Sequence, residues 1–136
     1  MIATIADIEH DAYNAVRDTL AGIVRGAVYP SECRPYDSVE EDAVVIASTA
    51  TADQIQEGRV HINVWVADID NGSGREVPDK ARIRAISGQG NAILEALNSN
   101  CDKSYLFEFA EATNILQDAN NQHIVAFTFK FRKITF

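Results

Sequence analysis

The side chains best suited to catalysis in this 136-residue sequence are three histidines and two cysteines. His10 lies on the polar side of a predicted helix, His61 within an alternating strand and His123 after a turn. The sequence has no Gly-x-Ser-x-Gly nucleophile motif. Cys33 and Cys101 are too few for a disulfide framework, so we expect two free thiols, with a bridge or a reactive thiol as the alternative. These residues predict neither an enzyme nor a cofactor site.

The acidic segment 68–79 comes nearest to a metal-binding motif. Asp68, Asp70, Glu76 and Asp79 match the first, third, ninth and last positions of a calcium-loop template. The middle of the template does not match, because glycine and serine stand where Asp or Asn and then glycine are required. We therefore expect a solvated acidic turn without a metal, and whether it binds a cation stays open. The Gly-x-Gly runs lack the further residues of a phosphate-binding loop.

The negative charge is concentrated in the first part of the chain. Residues 1–57 hold eleven of the twenty acidic residues and three of the twelve basic ones, whereas residues 58–136 hold nine of each. This distribution argues against a basic face that holds nucleic-acid phosphates. We expect an acidic surface or channel lining, for which the candidates are Glu32, Asp37, Glu40, Glu41, Asp42, Asp53 and Glu57.

The first half of the chain predicts one helix and three strands. Apolar residues recur at helical spacing from Ile8 to Ile23, and Thr4 with Asp7 resembles a capping box. A short apolar stretch at 26–29 ends at a proline and is followed by a loop with a second proline. The apolar segment 43–49 is typical of a strand, and the polar segment 50–57 is predicted to connect it to the next strand.

The second half predicts another helix and two more strands. Pro78 suits the first position of the helix, and Gly90 lies on its apolar side, which indicates a close approach to the sheet. Strands are predicted at 103–110 and 124–136. The phenylalanines of the last strand share one face with Val125, which favours core packing over stacking on nucleic-acid bases. The apolar runs are too short for a membrane span, and the first residues do not form a signal peptide.

The predicted element order is α-β-β-β-α-β-β in a single domain, residues 1–136. A helix precedes three strands expected to form an antiparallel run, and a second helix precedes a terminal hairpin. This order predicts an α+β fold, a mostly antiparallel sheet with two helices on one face. The other face of the sheet is then left open.

Strict alternation in the strand 59–68 decides which residues share that open face. The even-numbered residues from Val60 to Val66 are apolar, whereas Trp65 points away from them with polar neighbours. An aromatic residue among polar ones is typical of an interface anchor. The alternatives are that the chain's own loop covers Trp65 or that the apolar assignment is inverted. The interface candidates are Trp65, Arg59, His61, Asn63, Tyr36, Lys130 and Arg132.

The order and character of these elements resemble those of a known family. An N-terminal helix is followed by Val-Tyr-Pro at 28–30, the strand Ala43–Ser48, the segment Val60–Asp68 (V-H-I-N-V-W-V-A-D), the run Ile93–Leu97 (I-L-E-A-L) and a terminal hairpin. This pattern resembles the tail-terminator proteins, also called tail-completion or minor tail proteins, of long-tailed bacteriophages. The resemblance covers most of the chain and rests on element order and strand character.

The resemblance implies a structural role without catalysis. Such proteins form a ring, usually a hexamer, on the end of the tail tube, where they stop tube growth and meet the head connector. It implies a homo-oligomer in the virion, made in the host cytoplasm, with tail-tube and connector proteins as partners, no specific nucleic-acid binding and DNA passing through the ring. Loops 30–42 and 68–78 are then candidates for subunit contacts. The alternatives are a small ligand-binding protein or enzyme, and an acidic adaptor that imitates DNA.

Overall fold

A capped helix opens the structure, a computed structural model that describes residues 2–135. Helix α1 (Ile5–Ile23) begins after Thr4, whose hydroxyl accepts a hydrogen bond from the Asp7 amide at 3.1 Å. The Asp7 carboxylate accepts one from the Thr4 amide at 2.9 Å, so the predicted capping box is confirmed. The buried side of this helix is the predicted one, formed by Ile8, Ala12, Ala15, Val16 and Leu20.

Six strands form the main sheet, in the order β1-β2-β3-β8-β6, and β7 also pairs with β8. Strand β8 is therefore central, because β3 covers one of its edges while β6 and β7 share the other. A separate small hairpin consists of β4 (Ile69–Asp70) and β5 (Glu76–Val77). The strands of the main sheet are β1 (Val28–Pro30), β2 (Ala43–Ala50), β3 (Ile55–Ala67), β6 (Tyr105–Phe109), β7 (Asn114–Asp118) and β8 (Gln122–Ile134).

The sheet is mostly antiparallel, and the predicted α+β class is confirmed. The expected antiparallel run of three strands is wrong at its start, because β1 pairs with β2 in parallel. The segment between Pro30 and Ala43 carries the chain back to the beginning of β1, where Val28 lies opposite Ala43. A connection that crosses back in this way gives parallel neighbours, whereas a tight hairpin gives antiparallel ones.

The predicted second helix is two helices, α2 (Lys80–Ser87) and α3 (Gly90–Asn100). The chain leaves the α2 helix at Gly88, a poor helix former. The prediction that Pro78 occupies the first helical position is wrong, because α2 begins at Lys80. The N-cap of α2 is Asp79, whose carboxylate accepts a hydrogen bond from the Arg82 amide at 3.1 Å.

Gly90 permits the close approach that its position predicted. A Cβ atom there would lie 3.2 Å from the ring of Phe109 and 3.5 Å from that of Phe127. The start of α3 therefore rests against β6 and β8. Together with α1, α3 covers the inner face of the sheet, whose buried residues include Val45, Val60, Ile62, Val64, Phe107, Val125, Phe127, Phe129 and Phe131.

The strands differ from the prediction in their bounds and in number. Strand β3 begins at Ile55, so the connection after β2 is shorter than the predicted segment 50–57. Strand β7 was missed because most of its residues are exposed and its sequence has no apolar alternation. The predicted last strand extended to Phe136, which lies outside the described residues. Among residues 2–135, no helix is both long and apolar enough to cross a membrane.

Candidate subunit interface

The outer face of the sheet carries six of the seven candidate interface residues, as the alternation predicted, and Tyr36 lies on a loop. Val60, Ile62, Val64 and Val66 are buried in the core, so the apolar assignment is not inverted. The residues between them face outward, and those of β8 opposite them do the same. The outer face thus brings together Arg59, His61, Asn63, Trp65, Lys130 and Arg132.

One end of this face forms a cationic groove with a volume of about 420 Å³. Strand pairing builds it, because Arg59 lies opposite Lys130 and Glu57 lies opposite Arg132. Strand β6 contributes Glu108, opposite Lys130, and a half-exposed Leu106. We use the name cationic groove for the site lined by Thr49, Glu57, Gly58, Arg59, Leu106, Glu108, Lys130, Phe131 and Arg132.

The ion pairs of the cationic groove are loose. Lys130 lies 3.5 Å from Glu108, and Arg132 lies 3.6 Å from Glu57, with all four side chains more than half exposed. Within the described part of the chain, Arg59 has no carboxylate at ion-pair distance, although it faces Lys130 across the strands. Like charges opposite each other repel. The groove therefore has an unneutralised positive charge and exchangeable partners.

A glycine lets two strands meet at this end. A Cβ atom on Gly58 would lie 1.9 Å from the Thr49 carbonyl oxygen and 2.8 Å from the Phe131 ring. The pairing of β2 with β3 also shifts here, because Ala47 and Thr49 pair with successive residues and Ser48 is the extra residue of a β-bulge. Only glycine allows this close contact beneath the groove.

The other end of the outer face is covered by the chain itself. The guanidinium of Arg34 lies 4.5 Å from the ring centroid of Trp65, which is partly buried. This contact is a cation–π interaction. The same guanidinium approaches the Gln122 side chain at 3.5 Å. Of the alternatives for Trp65, the structure shows the one in which the chain's own loop covers it.

Asp42 is not a surface residue, which corrects its assignment to the acidic surface. It is 2% exposed, and its carboxylate accepts hydrogen bonds from Arg34 Nε at 3.1 Å, Ser38 Oγ at 2.7 Å and the Ala27 amide at 2.8 Å. A buried carboxylate needs such partners because desolvation of an unpaired charge is costly. Asp42 thus fixes the segment 31–42, which we call the acidic loop, to the body of the protein.

Glu41 is also committed to an internal contact. Both of its carboxylate oxygens accept hydrogen bonds from Arg82, at 2.6 and 2.9 Å, and its side chain is only 9% exposed. This bidentate contact raises the pKa of Arg82. Of the remaining acids, Glu32, Asp37 and Glu40 are exposed on the acidic loop, whereas Asp53 and Glu57 lie at the opposite end. The seven candidate acids therefore do not form one continuous surface.

The tip of the acidic loop is strongly exposed. Tyr36 is 95% exposed, the highest value among the large apolar side chains of the described region, and Val39 is 68% exposed. Arg34, the loop's basic residue, turns inward toward Asp42, so every charged side chain exposed on the loop is acidic. The tip combines an aromatic side chain, an apolar side chain and negative charge.

Between the two ends lies a polar chain that the sequence did not predict. His61 Nε2 is 2.8 Å from Ser48 Oγ, and His61 Nδ1 is 3.1 Å from Thr128 Oγ1. Burial and the charge of Arg59 lower the pKa of His61. A serine beside an oriented histidine is the pair that activates a nucleophile in hydrolases, although here threonine stands where a carboxylate is usual. Strand register alone brings these three residues together, so no local motif could have revealed them.

The acidic turn uses its carboxylates for structural contacts. Asp68 lies 2.6 Å from His123 Nδ1, and Asp70 accepts hydrogen bonds from the amides of Gly72 and Gly74. Asp79 is the cap of α2. Across residues 2–135, no cluster of three or more metal-ligating side chains is present. The four acids of the calcium-loop template therefore do not converge.

The two thiols are free, as predicted, and differ in exposure. Cys33 is exposed on the acidic loop, and Cys101 is partly buried at the end of α3. Burial, with the nearby Asp11 and Asp102 charges, raises the pKa of Cys101 to about 12. Cys101 therefore stays protonated at neutral pH.

No protein-family model matches the sequence, and no curated protein matches it.

Proposed function

We propose that the chain is a structural protein of a bacteriophage virion, the subunit of a ring at the end of the tail tube. In this role the ring, a hexamer by the resemblance described above, stops tube growth and joins the tail to the head connector. Its partners are copies of itself, the tail-tube protein and the connector protein. The proposal assigns the chain no catalytic activity and no cofactor.

The observation that carries the proposal is the outer face of the sheet, whose two ends differ. Helices α1 and α3 cover the inner face, and the outer face has an exposed acidic loop at one end and a cationic groove at the other. A subunit with two different contact surfaces associates head to tail, and such contacts give a ring when the rotation between subunits closes. The second ground for the proposal is the resemblance of the sequence to tail-terminator proteins described above.

The acidic-adaptor alternative receives less support. A protein that imitates DNA presents a continuous array of negative charge to a basic partner. Here Glu41 and Asp42 are paired internally, and Arg59, Lys130 and Arg132 lie on the same face as the acidic loop. We therefore retain the ring as the proposal.

A second candidate function is favoured by the pair Ser48 and His61. Their 2.8 Å contact on an open face is suited to acyl transfer, with Thr128 orienting the imidazole. The test is hydrolysis of a p-nitrophenyl ester by the wild-type protein and by Ser48→Ala. Turnover that disappears in the variant would support an esterase, whereas equal rates would remove this candidate.

The mass of the protein in solution tests whether it forms a ring. We expect multi-angle light scattering to give the mass of a ring of 14.9 kDa chains, either for the protein alone or after addition of polymerised tail-tube protein. Electron microscopy of the mixture should place the protein at tube ends and show shorter tubes. A chain that stays monomeric under both conditions, and that leaves tube length unchanged, contradicts the proposal.

A further inference from the structure

We infer that the acidic loop of one copy docks into the cationic groove of a neighbouring copy. This inference deepens the proposed function and rests on it, because it assigns the contact by which copies of the chain join. The groove's own residues give the first reason. It holds three cations and two carboxylates, and Arg59 has no carboxylate partner within the region that the structure describes. An incoming carboxylate would relieve the repulsion between Arg59 and Lys130.

The acidic loop provides the complementary groups. Glu32, Asp37 and Glu40 are exposed, and Tyr36 and Val39 extend into solvent beside them. An exposed tyrosine next to charged residues is typical of an interface anchor. Leu106, 51% exposed in the groove, offers an apolar surface to such an anchor.

The loop is also held in place before any contact forms. Its base is fixed by the buried Arg34–Asp42 pair and by the stacking of Arg34 on Trp65. The guanidinium of Arg34 also donates to the carbonyl oxygens of Ser38 and Glu40, at 3.2 and 3.1 Å. A segment fixed in this way loses less conformational entropy on binding than a flexible one.

The occupant of the groove is a second copy, because a loop cannot reach the groove of its own chain. Arg59 in the groove and Trp65 beneath the loop are six residues apart along β3, which separates them by about 20 Å. Each copy therefore presents one acidic loop and one groove at opposite ends of its outer face. Complementary charges on one chain favour the next copy as the partner.

Charge reversal with complementation tests this contact. One variant reverses the loop (Asp37→Lys with Glu40→Lys), and a second reverses the groove (Arg59→Glu with Lys130→Glu). Light scattering, under the condition in which the wild type assembles, should find each variant monomeric alone. Mixing the two should restore assembly, because each reversed loop then meets a reversed groove and each native loop a native groove.

Two further variants keep the test sharp. Asp18→Lys makes the same kind of charge change on α1, where the side chain is 96% exposed and outside both surfaces, and it should assemble as the wild type does. Arg59→Gln removes the unpaired cation without disturbing an ion pair. We expect it to require about tenfold more protein for assembly, an effect that salt weakens.

The outcomes separate this inference from the proposed function. Reversed variants that assemble alone, or monomeric reversed variants that do not assemble when mixed, overturn the docking and leave the ring standing. A wild type that is monomeric with and without tail tubes overturns both. Restored assembly in the mixture supports the contact, and a restored mass equal to that of the wild-type ring supports its head-to-tail direction.

Discussion

The two ends of the outer face use similar charged side chains in opposite ways. At the acidic loop, Arg34 and Asp42 are 10% and 2% exposed and share their hydrogen bonds with Ser38 and Ala27. At the groove, the pairs are more than half exposed and about 3.5 Å long. Buried pairs are costly to break, and exposed pairs contribute little to stability. One end is therefore fixed in place, while the other can exchange its partners.

The largest expected effect is at the fixed end. Asp42→Ala leaves Arg34 buried without its carboxylate, so we expect the free energy of unfolding to fall by about 3–5 kcal/mol. Urea denaturation followed by circular dichroism measures it. Asp37→Ala removes an exposed carboxylate of the same loop and should leave the midpoint within error. Equal losses in the two variants would contradict the distinction between buried and exposed charges.

The next effect belongs to the strand contact beneath the groove. Gly58→Ala places a Cβ against the Thr49 carbonyl and the Phe131 ring, and we expect a loss of about 1–3 kcal/mol from overpacking. Gly22→Ala is the matched control, because nothing lies within 4 Å of its Cβ position in α1. That change should stabilise by about 0.5–1 kcal/mol, since alanine favours a helix. A stabilised Gly58→Ala protein would show that the strands do not need the glycine.

A smaller effect depends on pH and comes from the centre of the face. Burial, followed by the Arg59 charge, lowers the pKa of His61 from its ordinary 6.5, so the unfolded chain takes up a proton at higher pH than the folded one. The contribution of His61 to stability is therefore complete above about pH 6.5 and is lost as the pH falls below that value. His61→Gln should narrow the difference in Tm between about pH 7.5 and about pH 5.5. An unchanged difference would assign the pH dependence to other groups.

The smallest effect is expected from the exposed pairs. Glu57→Gln and Glu108→Gln each remove one partner of a loose ion pair, and the free energy of unfolding should change by less than about 1 kcal/mol. Chemical denaturation measures this change in the same buffer as for Asp42→Ala. A loss comparable to that of Asp42→Ala would mean that the groove is as rigid as the loop.

The local sequence pattern was sufficient to predict the elements that bury regularly spaced apolar side chains. The helical spacing from Ile8 to Leu20 and the alternation from Val60 to Val66 each follow from one buried side, and both were predicted. Strand β7 buries little, so no such pattern marks it. The parallel pairing of β1 depends on how residues 31–42 fold, which spacing does not describe.

The sequence predicted which residues of each strand share a face, but not which residues of neighbouring strands lie opposite each other. Alternation placed Arg59, His61 and Trp65 on one face, but the opposition of Arg59 and Lys130 requires the register of β3 on β8. The inward turn of Asp42 required knowledge of its partner Arg34, eight residues away across an irregular loop. From the sequence, Asp42 was assigned to the acidic surface, because the residue type alone does not reveal whether a side chain is buried.

The two thiols differ in reactivity, so a thiol reagent can label the acidic loop selectively. Cys33 is exposed on the acidic loop, whereas Cys101 stays protonated at neutral pH because of its raised pKa. The thiolate is the nucleophile that attacks an alkylating reagent, so a thiol that stays protonated reacts slowly and modification at neutral pH is directed to the loop. The rate of that modification then reports whether solvent still reaches the loop, without a probe having to be engineered into the chain.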